Sequence, residues 1–239
     1  MPDGEAVAVP RRRLLDVLDG CLSRTGTPPV AVVCAPTGAG KTALLTTWAR
    51  HRADPDAPRT AWVTLDARHG HADHLRSAIR DAVLPTAAPG GFSPVCLVLD
   101  NAHELSGRPA ARELARLVSR AEVRLVLAGR FPFPLSRQWL RDRGRLREIG
   151  PEDLAFTAPE AAELLGAHGI RLPPAELDVL LRCTKGQAAR LRLAVTSLVA
   201  RGRPVMGAPV AVPVPRRSPA GATTVNPATP LGVARARGL

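Results

Sequence analysis

The sequence of 239 residues predicts an α/β fold: a parallel sheet covered by helices on both faces, followed by a small helical domain. Two observations predict this class. Short apolar runs alternate with helix-period patterns over residues 30–150, the order expected of parallel strands joined by crossover helices. A glycine-containing turn also joins the first apolar run to the first of these helices, as in phosphate-binding folds.

The first apolar run, Val30–Cys34, predicts a buried strand that leads into the turn Ala35-Pro-Thr-Gly-Ala-Gly-Lys-Thr42. We call residues 35–42 the phosphate loop, because they end in the glycine–lysine–threonine pattern, although Ala35 replaces the usual first glycine. Gly38 and Gly40 let the backbone curl so that several N–H groups face one anion, and the next helix presents its positive end. The predicted nucleotide-binding residues are Pro36, Thr37, Gly38, Ala39, Gly40, Lys41, Thr42 and Ala43.

Side chains at the ends of the predicted strands supply the rest of this site. Lys41 is expected to reach the β- and γ-phosphates of ATP, and the Thr42 hydroxyl to ligate Mg²⁺. The run Val95–Asp100 is a buried strand ending in an acid, so Asp100 is the second predicted metal-binding residue. Val123–Arg130 is a further strand whose terminal Arg130 can sense the γ-phosphate, a surface arginine being the alternative.

The position after Asp100 bears on hydrolysis. ATPases of this type generally have a second acid there, which polarises the attacking water, but this chain has Asn101. His103 and Glu104 follow closely, and either could compensate, with Glu104 the preferred replacement. The predicted catalytic residues are therefore Lys41, Asp100, Glu104 and Arg130.

The remaining elements follow from hydrophobic periodicity. Residues 10–24 form an amphipathic helix with Leu14, Leu15, Leu18 and Leu22 inward, and its start, Arg11–Arg13, is interpreted as solvated rather than touching a nucleotide or partner. Further predicted elements are helix 41–52, strand 60–66, a helix carrying Leu75, Ala78, Ile79, Ala82 and Val83, loop 85–94, helix 108–120, a short basic helix 136–143, and strand 146–149.

The pattern changes to helices alone after residue 150. Thr157 and Glu160 predict a capping box, a second helix starts at Pro173-Pro174 and breaks at Lys185-Gly186, and a third runs to Gly202. The predicted domains are an N-terminal helical segment 1–25, a nucleotide-binding domain 26–150, a helical lid 151–202, and a disordered tail 203–239 rich in proline and arginine.

Composition adds few constraints. The net charge of +12 suggests nucleic acid, but residues 201–239 alone hold six arginines and no acid, so we favour an arginine-rich solvated surface. The four cysteines are interpreted as buried free thiols in a reducing cytosol, and His69, His71 and His74 as a polar loop rather than a zinc site. No apolar run is long enough to cross a membrane and residues 1–9 are too short for targeting, so a cytoplasmic protein is expected.

Five segments, in order, resemble the amino-terminal ATPase module of large LuxR-type transcriptional regulators, the maltose-activator-like branch of the STAND NTPases. They are the phosphate loop with Trp48, Ala61–Asp66, Leu97–Asp100 with His103, Leu127–Arg130, and Leu154–Ala161. The resemblance implies an AAA+-like P-loop core with a helical domain, and an ATP/ADP switch in which Lys41 and Thr42 bind phosphate and Mg²⁺, Asp100 supports the metal and Arg130 reads the γ-phosphate.

The chain also departs from that family. Asn101 replaces its second acid, and Gly186-Gln187-Ala188 stands where the family has Gly-Trp-Pro. No winged helix, helical repeat or DNA-binding helix–turn–helix follows, so DNA binding is not carried over, and an exposed helical domain would favour a protein partner or self-association. Three hypotheses remain: a nucleotide-dependent switch with slow or absent hydrolysis; an enzyme, either an ATPase using Glu104 or a small-molecule kinase; and a decayed fragment that binds partners or nucleic acid through its basic surface.

Overall fold

The sheet contains five parallel strands. The computed structural model describes residues 9–21, 30–51, 59–84, 95–105, 107–119, 123–130 and 135–200. The strands are β1 (Val30–Cys34), β2 (Arg59–Thr64), β3 (Val95–Asp100), β4 (Val123–Gly129) and β5 (Leu146–Ile149), in the spatial order β2-β3-β4-β1-β5. Every neighbouring pair is parallel. All five carboxyl ends therefore lie along one edge, which confirms the predicted sheet.

The helices alternate with these strands and then follow one another. They are α1 (Arg12–Gly20), α2 (Lys41–His51), α3 (Ala72–Val83), α4 (Gly107–Val118), α5 (Arg137–Asp142), α6 (Ala158–Gly166), α7 (Pro174–Thr184) and α8 (Ala188–Ala200), with short 3-10 turns at Ala67–Gly70 and Ala102–Glu104. Among the residues that the structure describes, no helix combines the length and the apolar character that crossing a bilayer requires.

Two apolar layers cover the sheet, because successive strand residues point to opposite faces. Val32, Leu97 and Leu127 pack on one face against Leu75 of α3 and Leu114 of α4. The opposite face is covered by α1 and α2, where the buried apolar residues are Leu14, Leu15, Leu18, Leu44, Leu45 and Trp48. The structure is thus the predicted three-layer α/β arrangement, and the inward face predicted for the N-terminal helix is confirmed at Leu14, Leu15 and Leu18.

Helices α6 to α8 share a third apolar cluster, built from Leu164, Leu165, Ile170, Leu180, Leu191, Val195 and Leu198. The capping box of Thr157 and Glu160 at the start of α6 is confirmed. Helix α7 ends at Thr184, and the next residue, Lys185, adopts a left-handed conformation with φ +53°, so the predicted break is also confirmed. The short turn 185–187 then leads into α8.

Several sequence predictions need correction. Strand β2 ends at Thr64 rather than Asp66, because the Asp66 side chain accepts from the Arg68 N–H and caps the 3-10 turn. Three cysteines are buried as expected, but Cys183 is exposed on α7. Leu22, the predicted loop 85–94 and the predicted tail 203–239 lie outside the described residues.

The interpretation of Arg11–Arg13 as a solvated helix start is wrong for Arg11. Arg11 is only 4% exposed; it donates to the Leu154 carbonyl (2.8 Å) and lies 4.9 Å from the centre of the Phe156 ring. Arg13 donates to Glu160 (2.9 Å) and to the Ala155 carbonyl (2.8 Å). Arg12 and Arg13 are both exposed, as the sequence suggested, although Arg13 is held by these contacts. The reason is that the segment entering α6 folds back over the start of α1.

Candidate functional site

The predicted site residues come together at the carboxyl edge of the sheet. Strands β1, β3 and β4 are neighbours there, so the turns that follow them face one cavity of about 480 Å³. Its lining residues are Thr37, Gly38, Gly40, Lys41, Thr42, Ala43, Asn101, His103, Glu104 and Arg130. Asp100 lies beneath this cavity and is 3% exposed.

The phosphate loop has the backbone that the sequence predicts. Gly38 and Gly40 have φ values of +81° and +92°, which residues with a Cβ rarely adopt. The first turn of α2 points N–H groups into the cavity, because a helix start leaves its first N–H groups without helical partners. The Lys41 Nζ donates to the Ala35 carbonyl (2.7 Å) and to the Pro36 carbonyl (3.0 Å), so its ammonium group lies across the loop. The arrangement concentrates positive potential in the loop.

The two residues predicted to bind a metal are in direct contact. The Thr42 hydroxyl donates to Oδ2 of Asp100 (2.8 Å), and Oδ1 of Asp100 accepts the Asn101 N–H (2.9 Å). Asn101 can turn its backbone toward the carboxylate because asparagine tolerates the left-handed conformation it has here, with φ +58°. Hydroxyl and carboxylate oxygens are the hard donors that Mg²⁺ prefers, so the pair fits that ion chemically.

A second cluster on the far wall joins Arg130, His103 and Glu104. Nε2 of His103 lies 2.9 Å from Nη2 of Arg130 and 3.1 Å from its Nε. The same Nε2 lies 3.3 Å from Oε1 of Glu104. A Cβ on Gly129 would come within 3.2 Å of His103 Nδ1 and 3.0 Å of its backbone N, so His103 packs closely over the glycine that ends β4.

Burial and charge shift two pKa values in the cavity. Burial lowers the pKa of Lys41, an effect that Asp100 opposes. The pKa of His103 falls below its ordinary 6.5, mainly through burial and then through the nearby guanidinium of Arg130. His103 is therefore neutral at pH 7, which suits a ring nitrogen that accepts a hydrogen bond from Arg130.

The start of α8 rests on the phosphate loop, a contact that sequence reasoning did not predict in detail. The Ala189 N–H donates to the Gly38 carbonyl (3.0 Å), and the Gln187 side chain donates to the Thr37 carbonyl (3.3 Å). A Cβ on Gly38 would lie 3.0 Å from that of Ala189. A side chain at position 38 would press on Ala189, so glycine favours this close contact.

Most residues of the site were predicted from the sequence, but the residues that contact the phosphate loop from the helical domain were not. Of the predicted residues, Pro36 and Ala39 belong to the loop but do not line the cavity, and the others line it or, as Asp100, lie directly beneath it. The contacts missed are those of Gln187, in the turn before α8, and of Ala189 on α8, for which the glycine at position 186 was the only signal. His69 accepts from the Asp66 N–H (3.1 Å), and the described residues hold no metal-competent group of three His, Cys, Asp or Glu side chains.

Comparison with known sequences yields a partial match. The chain is 30% identical over 233 residues to the serine/threonine-protein kinase PknK of Mycobacterium tuberculosis, and equally to that of Mycobacterium bovis. The match covers 83% of this chain but 20% of each kinase, so the chain spans about a fifth of the length of the curated relatives it matches. No known protein-family profile matches the chain.

Comparison with solved structures identifies the fold. A Walker-type ATPase of Pyrococcus abyssi superposes with a TM-score of 0.53 at 15% identity, covering 82% of this chain and 69% of that one. DnaA of Aquifex aeolicus, solved with bound AMPPCP, superposes with a TM-score of 0.50 at 19% identity, covering 83% of this chain and 64% of DnaA. The chain thus has the fold of P-loop ATPases of the AAA+ type.

Proposed function

We propose that the chain is an ATP/ADP-binding module that acts as a nucleotide-dependent switch with slow or absent hydrolysis. The observation that carries this proposal is the convergence of Lys41, Thr42 and Arg130 on one cavity at the carboxyl edge of a parallel sheet. Lys41 and the N–H groups at the start of α2 would bind the phosphates. Arg130 would contact the γ-phosphate and so distinguish ATP from ADP.

A Mg²⁺ ion would be held by Thr42 and supported by Asp100. Their hydroxyl and carboxylate groups already lie 2.8 Å apart, so the donors that the ion needs are side by side. When bound, the ion would neutralise charge on the nucleotide phosphates.

Slow hydrolysis follows from Asn101. An amide side chain has no basic lone pair with which to take a proton from the attacking water. Only the backbone N–H of Asn101 bonds to Asp100, so the side chain adds no acid to the site. We infer that ATP, once bound, persists and that its presence, rather than its turnover, is the signal.

The second candidate is a competent ATPase in which Glu104 replaces the missing acid. Glu104 lines the cavity, which keeps this candidate open. Its Oε1 lies 3.3 Å from Nε2 of His103, so the availability of this carboxylate as a base depends on whether that nitrogen carries a proton. Loss of turnover in Glu104→Gln, with ATP affinity retained, would favour the ATPase.

We further propose a signalling role of the LuxR-regulator kind. The order of motifs from the phosphate loop to Leu154–Ala161 supports it, as does the match to a protein kinase, which is a signalling protein. In this proposal residues 26–150 bind the nucleotide and residues 151–202 form a lid, because α8 contacts the phosphate loop directly. The lid would then transmit the nucleotide state to a protein partner.

The test combines binding with turnover. Purified protein is titrated with ATP and ADP by calorimetry, with Mg²⁺ or with EDTA, and phosphate release is then followed. We expect binding that Mg²⁺ strengthens, negligible turnover, and a loss of affinity of about tenfold or more in Lys41→Ala, because charged hydrogen bonds to phosphate are lost. Arg50→Ala, an exposed change in the last turn of the same helix, is the matched control. Absence of binding would overturn the proposal, and sustained turnover lost in Lys41→Ala would replace it with the ATPase.

A further inference from the structure

We propose that His103 is a positioning residue that holds Arg130 in the cavity and, when Arg130 leaves, transfers its hydrogen bond to Glu104. The proposal concerns the cluster on the wall opposite the phosphate loop. Its structural part stands on the contacts of His103 alone. Its trigger, the γ-phosphate that draws Arg130 away, rests on the proposed function.

One ring nitrogen of His103 lies close to two groups that require opposite protonation states of it. Nε2 of His103 lies 2.9 Å from Nη2 of Arg130 and 3.3 Å from Oε1 of Glu104. Arg130 has only N–H groups to offer, so Nε2 must present its lone pair to bond with it. A carboxylate has only lone pairs, so Nε2 must carry a proton to bond with Glu104. The nitrogen cannot do both at once.

The position of the ring proton also determines the energetic cost at the other ring nitrogen, Nδ1. Nδ1 of His103 is buried and has no hydrogen-bond partner among the described residues. While Arg130 is bound, the single proton of the neutral ring is on Nδ1, where it is an unpaired buried donor. Two bonds from a charged guanidinium to Nε2 offset that cost.

Removal of Arg130 reverses the balance. The ring then loses the proton at Nδ1 to water and takes one up from water at Nε2. It stays neutral, and the buried donor without a partner at Nδ1 is removed. The new Nε2–H donates to the Glu104 carboxylate, and Nδ1 becomes an unpaired acceptor, which costs less than an unpaired buried N–H. His103 therefore has two stable arrangements, one for each position of Arg130.

The surroundings of the ring include a close neighbour and several charged groups. His103 packs over Gly129, where a Cβ would come within 3.2 Å of Nδ1, so a side chain at position 129 would press on the ring. The charged groups that influence it from the neighbouring elements are Arg130, Glu104, Lys41 and Asp100. Burial, the largest cause of the lowered pKa of His103, does not depend on Arg130 and favours the neutral ring in both arrangements, while the charge of Arg130 lowers the pKa further in the first.

The consequence is that the hydrogen bonding of Glu104 depends on the position of Arg130. With Arg130 held by His103, the Glu104 carboxylate accepts no hydrogen bond from the ring. With Arg130 on a γ-phosphate, the carboxylate is fixed by the His103 N–H beside the cavity. A change of nucleotide thus reaches the 3-10 turn at residues 102–104 and the strand end that precedes it.

The decisive measurement is the position of the His103 proton in the full chain. Long-range hydrogen–nitrogen NMR spectra of protein labelled in its histidine nitrogens distinguish the two tautomers, and His103→Gln assigns the signal among the six histidines. We expect the Nδ1–H form in the wild type and the Nε2–H form in Arg130→Met, which keeps the stem but has no donor. Arg141→Met, an exposed arginine that pairs with Glu148 instead, should leave the tautomer unchanged.

Two results would overturn the proposal: an Nε2–H tautomer in the wild type, or no change in Arg130→Met. Addition of ATP should then convert the wild type towards the Arg130→Met state, whereas ADP should not. If ATP binds but leaves the His103 signal in place, the trigger is wrong. If neither nucleotide binds, the proposed function fails, while the ligand-free spectra still decide whether His103 holds Arg130.

Discussion

At the scale of single residues, Arg11 shows how a charged side chain can become part of a core. Its guanidinium donates to the Leu154 carbonyl and stacks on Phe156, while burial lowers its pKa to about 10. Such a group is stabilising only while its partners remain, because an unpaired buried charge is costly. Arg11 therefore fixes the start of α1 against the segment that leads into α6.

Replacement of this residue should destabilise the protein. Arg11→Ala is expected to lower the free energy of unfolding by about 2 kcal/mol, through the lost charged hydrogen bond and the lost packing of the stem. Arg12→Ala, its exposed neighbour, should change it by less than about 0.5 kcal/mol. Urea unfolding of the two variants measures both values. Equal effects would mean that Arg11 is not held as described.

His103 is the other residue whose surroundings determine its role. Its type alone is compatible with catalysis, metal binding or a surface position. The two short contacts with Arg130, together with the buried Nδ1, favour a positioning role instead. The tautomer measurement described above tests that role directly.

At the scale of elements, the approach of α8 to the phosphate loop depends on the absence of a side chain at Gly38. The Ala189 N–H reaches the Gly38 carbonyl at 3.0 Å, and a Cβ on Gly38 would meet Ala189 at the same distance. One glycine thus serves two purposes, since its φ of +81° also shapes the loop.

Gly38→Ala should therefore loosen the start of α8. We expect the Ala189 amide to exchange its hydrogen faster by about fivefold or more, because the hydrogen bond to residue 38 weakens. Gly144→Ala is the matched control: its φ of +62° carries a similar backbone strain, but its Cβ would meet nothing within 4 Å. Hydrogen exchange followed by NMR distinguishes the variants. Unchanged exchange at Ala189 in Gly38→Ala would show that α8 does not rest on the loop.

At the scale of the whole molecule, Glu160 connects α1 with the start of α6. It accepts from Arg13 at 2.9 Å and from the Thr157 N–H at 3.0 Å. Burial alone would raise the pKa of Glu160, but these hydrogen bonds and the nearby arginines outweigh it and hold the pKa below its ordinary 4.5. The pair joins two parts of the chain that are 147 residues apart.

This pKa shift predicts how stability depends on pH. A carboxyl group with a lowered pKa in the folded state adds stability above its unfolded value of about 4.5, and that contribution is lost as the pH falls through the folded value. Wild-type stability should thus fall more steeply than that of Glu160→Gln on acidification below that pH. Glu163→Gln removes an exposed charge from the same helix and provides the control. Parallel pH profiles for wild type and Glu160→Gln would contradict the prediction.

The sequence by itself determined the elements and the chemistry at the strand ends. The apolar runs that form β1, β3 and β4 and the glycine–lysine–threonine turn are local patterns, and local patterns set local structure. The register of a parallel sheet then brings strand ends together, so Lys41, Asp100 and Arg130 could be predicted to share one edge. The boundary of β2 was missed because a side-chain cap at Asp66 competed with strand propensity.

Only the tertiary structure decided which of these groups touch one another. Arg11 lies 143 residues from its partner Leu154, and Gln187 lies 150 residues from Thr37, so neither contact leaves a periodic signal in the sequence. Such contacts depend on how the helices after residue 150 pack on the sheet, and packing depends on shape over the whole molecule rather than on a local pattern. The pairing of His103 with Arg130 follows the same rule, since it requires the turn after β3 to lie over the glycine at the end of β4.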